Sequence, residues 1–107
     1  MPKRTNTADV RRFKVTGERF PVVTVYDYSS AKLVDRADIP IVLVGDSLAQ
    51  VMLGHEDTLS ATVDDMVRAS GAVARGATRA LIVADMPFMS YQAGVSDAMR
   101  NAGRLLQ

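Results

Sequence analysis

A chain of 107 residues has the length of one small domain, near the size at which a single hydrophobic core becomes comfortable. Its 48% hydrophobic and 23% charged content, with a net charge of +1, is that of a soluble globular protein without the basic field that nucleic acid or an anionic membrane would call for. The absence of cysteine removes disulfides and thiolate metal sites, and the polar start with no long apolar run points to a cytoplasmic, non-membrane chain.

A short helix is expected from about Thr7 to Lys14, capped by Thr7. "FPVVTVYDY" is rich in β-branched and aromatic residues, with Pro21 tolerated near a strand start, and predicts a first strand at Val22 to Tyr26. "SSAKLVDRADIP" spaces Ala31, Val34 and Ala37 by three, opens on serine caps and stops before Pro40, so a short helix follows. Ile41 to Val44 is the second strand. Thr62 and Asp65 have the spacing of a capping box, and Val63, Met66, Val67 and Val73 recur at helical intervals, predicting a helix over Val63 to Arg75 that ends at Gly76. A third apolar strand covers Ala80 to Ala84, and "VSDAMRNAGRLLQ" starts a third helix of this alternating set, capped by Ser96.

Continuous apolar strands separated by helices imply the α/β class, with a parallel sheet covered on both faces. In that class ligands bind beyond the carboxyl ends of the strands. Asp27, Asp46 and Asp85 stand there, after the first, second and third strands. Two rim carboxylates, Asp46 and Asp85, make a hard-oxygen site suited to Mg²⁺. From spacing alone each reads more readily as a helix cap or turn former, and Asp27 reads better as the cap of the helix at Ser29. Ser47 suits a cap, a turn hydroxyl or a ligand contact, and Gly45 a close approach of backbone. His55, the single histidine, cannot build a histidine cluster and reads as structural or solvent-facing. Asp64 and Asp65 complement a helix dipole, and the six methionines read as packing.

"VTVYDYSSAKL", "IVLVGDSLAQVMLGHEDTL", "TVDDM" and "LIVADMPFMSY", in this order over about Phe20 to Gln92, resemble the ketopantoate hydroxymethyltransferase family. The resemblance implies a (β/α)8 TIM barrel of the phosphoenolpyruvate/pyruvate superfamily, assembled as a homo-oligomer, commonly a decamer. It implies transfer of a hydroxymethyl group from 5,10-methylenetetrahydrofolate to 3-methyl-2-oxobutanoate through a Mg-stabilised enolate, giving 2-dehydropantoate for pantothenate synthesis. Matched by motif, Asp46 and Asp85 correspond to Mg²⁺ ligands, and Asp46, Ser47 and Asp85 to contacts of the 2-oxo acid. Asp27 and His55 match family segments without a ligand role. The family's general-base glutamate, its further metal-associated glutamate and its substrate lysine match nothing up to Gln107.

Residues 1–107 are thus expected to form a single incomplete barrel domain, the N-terminal portion with three of eight βα units, inactive by itself. Two alternatives belong to other classes. A non-catalytic remnant or interaction fragment would explain the missing base. A receiver-like signalling domain also binds Mg²⁺ at strand ends, but wants an acidic pair after its first strand and a later lysine, neither of which is found.

Overall fold

The structure is a computed structural model that describes residues 4–106. In chain order its elements are α1 (Thr7–Thr16), β1 (Val22–Thr24), α2 (Tyr28–Arg36), β2 (Ile41–Val44), α3 (Leu48–Val51), α4 (Val63–Gly76), β3 (Leu81–Ala84) and α5 (Val95–Leu106). Gln107, included in the helix expected at the end of the chain, lies outside the described residues.

Local chemistry accounts for the helix boundaries. The expected capping box of α4 is present: the Thr62 hydroxyl accepts from the Asp65 N–H while the Asp65 carboxylate accepts from the Thr62 N–H. A second box at α1 uses Asn6 and Asp9, so Asn6 and not Thr7 is the cap, and the helix continues to Thr16 before Gly17 turns left-handed at φ 73°. Asp27 caps α2, as the favoured reading of that acid had it, with its carboxylate 3.1 Å from the Ser30 N–H; the serines, also read as caps, lie inside the helix. Ser96 is not the cap of α5; it lies inside the helix, where its hydroxyl accepts from Arg100. The four-residue α3 was not foreseen, because "LAQV" is too short to show a helical period.

Hydrogen bonds from the Ser30 hydroxyl and then the Ser30 N–H hold the Asp27 carboxyl below its ordinary range. A depressed carboxyl stabilises the fold above its unfolded pKa and loses that contribution as pH falls through the folded value. Asp27→Ala is therefore expected to cost about 1 kcal/mol at neutral pH, with the gap to the wild type closing as the medium becomes acidic below about pH 4. Urea midpoints of both proteins across that range check it; a gap that widens in acid contradicts the cap. Asp64 is likewise depressed, by the Arg104 guanidinium that bonds to it and ties α4 to α5.

The three strands form one parallel sheet in the order β1-β2-β3, with Val23, Val42 and Ile82 level across it and Val44 level with Ala84. A receiver-like sheet would put its first strand between the second and third. Here β2 is central, and that alternative falls.

Alternation along the strands separates two faces. Val23, Val25, Val42, Val44, Ile82 and Ala84 join Ala31, Met66 and Val73 in the core beneath α2 and α4. Val22, Thr24, Leu43 and Val83 point the other way, and Val22 and Val83 are 52% and 41% exposed. The expected cover on both faces is therefore not found among the described residues. Crossovers of one hand between strands taken in sequence put successive helices on the same side. The second face, on which Ile41 is buried while Val22 and Val83 are exposed, carries no matching helix layer among the described residues.

Helices α2 and α4 pack closely because Gly76 has no side chain: a Cβ there would lie 2.5 Å from the Tyr28 carbonyl oxygen and 3.0 Å from the Ala31 Cβ. Its use is close approach rather than a left-handed cap. The reading of the methionines as packing holds for Met66, which is fully buried, and fails for the exposed Met52, Met89 and Met99.

At the amino end of the sheet, the buried Asp35 gathers the loop between α4 and β3. Its carboxylate accepts from the Thr78, Arg79 and Ala80 N–H groups at 3.2, 3.1 and 3.2 Å and meets the Arg79 side chain at 3.6 Å. Arg4 closes the same end, donating to the carbonyls of Ala77 and Ala80 at 2.9 and 2.7 Å.

Candidate functional site

The opposite, carboxyl end of the sheet collects the residues singled out by sequence. Pairing continues one step past the strands: the Val25 N–H donates to Leu43 and the Asp85 N–H to Val44, each at 3.0 Å. Alternation carried one step past β2 and β3 puts Gly45 and Asp85 on the face away from the helices, and Tyr26, two residues past β1, packs beside the core at the same end. The chain turns at Gly45, and the Asp46 N–H donates to Asp85 Oδ2 at 3.0 Å. This bond, across 39 residues of sequence, brings the two acids to one rim.

The geometry at Gly45 explains its lack of a side chain. A Cβ there would stand 3.1 Å from Ser47 Oγ and 3.5 Å from Asp85 Oδ2, between the two groups. Ser47 adopts helical backbone angles before α3, and its hydroxyl makes no capping bond. It meets the Tyr26 hydroxyl instead, 2.7 Å away.

Tyr26, Ser47, Asp46 and Asp85 thus link three successive strand ends. Sequence reading passed over Tyr26, although its place at the end of the expected first strand was the available signal. Asp27, the third acid of the rim, is occupied at the N-terminus of α2. His55 is exposed in the loop after α3, its backbone N–H donating to the Ala49 carbonyl. Among the described residues no cluster of three or more His, Cys, Asp or Glu forms a metal cage.

The site offers two carboxylates and a hydroxyl pair, all hard oxygen groups. One oxygen of Asp85 is committed to backbone, while the Asp46 carboxylate has no partner among the described residues. Such a set can neutralise or hold a cation and orient an oxyanion through a hydroxyl.

Comparison with known sequences agrees with the motifs. The sequence profile described as Ketopantoate hydroxymethyltransferase matches residues 4–107. A protein of Enterococcus faecalis named 3-methyl-2-oxobutanoate hydroxymethyltransferase is 54% identical over 103 residues, covering 95% of this chain and 38% of the relative. Proteins of the same name from Chloroflexus aggregans and Hyperthermus butylicus are 50% and 54% identical over 104 residues, each covering 97% of this chain and 37% and 36% of the relative. The chain thus spans little more than a third of the length of these relatives, corresponding to their N-terminal portion. With a family match running from Arg4 to the last residue and through every strand that builds the rim, this chain belongs to the ketopantoate hydroxymethyltransferase family.

Proposed function

We propose that this chain supplies the N-terminal part of a site that transfers a hydroxymethyl group from 5,10-methylenetetrahydrofolate to 3-methyl-2-oxobutanoate, with 2-dehydropantoate as product. The observation that carries the reading is the Asp46 N–H to Asp85 carboxylate bond, which gathers two acids at matching strand ends. The reading extends to a (β/α)8 barrel: the order β1-β2-β3, with helices on one face and an apolar second face, suits a sheet that curls around an interior. A cytoplasmic homo-oligomer belongs to the same proposal.

The donor set fits Mg²⁺, which takes one or two protein carboxylates and completes its shell with water and substrate oxygens. Asp46 and Asp85 would hold it; when bound, it would supply Lewis-acid polarisation of the keto oxygen, favouring loss of the C3 proton. Ser47 donates a hydrogen bond to an oxygen of the 2-oxo acid. Gly45 lets the backbone turn close beside Ser47 and Asp85. Asp85 is steadied by the Asp46 N–H, so its second oxygen keeps a defined direction. On this reading the base that takes the C3 proton is not among the rim residues, whose part is to position substrate.

Solvent deuterium exchange at C3 tests this separately from folate transfer. A full-length family enzyme carrying this sequence should exchange the C3 proton and form product with Mg²⁺ present, whereas the 107-residue polypeptide should do neither. Robust exchange by the short polypeptide would reveal a base within it and reject this division of labour.

A further inference from the structure

We propose that Tyr26 is a positioning residue for the 2-oxo acid, fixing the Ser47 hydroxyl as a donor directed to the substrate carboxylate. The inference rests on the reading of Ser47 as a substrate contact and adds the group that makes that contact directional.

The two hydroxyls are 2.7 Å apart and partly buried. A phenol is a much stronger acid than an aliphatic alcohol, and its ring withdraws electron density from its oxygen, so the favoured arrangement has Tyr26 donating and Ser47 Oγ accepting. Ser47 then retains its own proton for another acceptor. Ser47 Oγ makes no capping bond to α3, and its bond to Tyr26 is the one it has among the described residues. Ser47 is half-buried, so that proton faces the solvent side of the rim. An incoming carboxylate has only acceptors, so a hydroxyl locked as a donor matches it better than one free to rotate. Tyr26 can do this because, just beyond β1, its hydroxyl reaches Ser47 in the turn after β2.

The test uses a full-length family enzyme carrying this sequence and a double-mutant cycle of Tyr26→Phe and Ser47→Ala. Phenylalanine keeps the ring and its packing while deleting the hydroxyl. Tyr26→Phe is expected to raise KM for 3-methyl-2-oxobutanoate roughly 3- to 10-fold, the range of one net hydrogen bond, with a smaller effect on kcat and none on KM for the folate. In the Ser47→Ala background the same change should add nothing, because the hydroxyl it aims is gone.

An unchanged oxo-acid KM in Tyr26→Phe, an equal rise in both backgrounds, or a rise in folate KM instead would overturn the proposal. If Ser47→Ala raises KM and Tyr26→Phe does not, the positioning role alone fails. If Ser47→Ala leaves KM unchanged, the substrate role of Ser47 fails first. A general loss of stability would lower kcat or the active fraction without selecting the oxo acid, which separates it from the expected result.

Discussion

Replacing Asp35 by alanine is expected to destabilise the fold by about 2–4 kcal/mol, the largest stability loss predicted for a single side chain here. The carboxylate receives three successive backbone N–H groups, and its removal also strips the Arg79 guanidinium of a partner. The Ala80 N–H suffers most, because that residue is buried while Thr78 is open to water. Asp35→Asn keeps one acceptor oxygen but turns an amide N–H₂ toward other donors, so it should recover only part of the loss. Urea midpoints rank the three proteins, and faster amide exchange confined first to Thr78–Ala80 would locate the damage. An alanine variant within about 0.5 kcal/mol of the wild type would mean that water replaces the carboxylate without cost.

The largest loss of activity is expected from Asp85→Asn in a full-length family enzyme, with Asp46→Asn milder. The difference comes from one hydrogen bond. Asp85 Oδ2 accepts from the Asp46 N–H, so an asparagine at 85 must keep its carbonyl oxygen there and present N–H₂ to the rim, where a cation needs an oxygen. Asparagine at 46 has no such obligation and can still turn its oxygen inward. Asp85→Asn should lower C3 exchange and folate transfer together by at least about 100-fold, and Asp46→Asn by about 10-fold. Titration of Mg²⁺ into each variant should show the same order of affinity. Normal rates in both reject the assignment of these acids; a reversed order rejects the part given to the backbone bond.

The sequence made the strands legible because Ile41–Val44 and Leu81–Ala84 are uninterrupted apolar runs, and made α4 legible because Thr62 and Asp65 carry a complete start signal. The rim acids followed from their places after those strands. What escaped depended on partners distant in the chain. Asp35 sits in the last turn of a helix, where the dipole disfavours an acid, and that local misfit was the available sign of a tertiary role. The one-sided covering of the sheet also escaped, since apolar strands alone do not distinguish a second layer of helices from an interior of side chains. Tyr26 read as an ordinary strand aromatic until its hydroxyl was seen against Ser47.

Arg4 has a consequence for the order in which the chain assembles. Its two short hydrogen bonds reach residues 73 and 76 positions later, and the neighbouring Thr5 N–H reaches the Arg79 carbonyl. During synthesis at roughly 5–20 residues per second, several seconds pass between the appearance of Arg4 and that of its acceptors. The helix α2 and the first two strands are all made within that interval, whereas the amino terminus must wait for the loop between α4 and β3. The earliest described residue to be synthesised therefore docks only after α4 and the loop that follows it have been made.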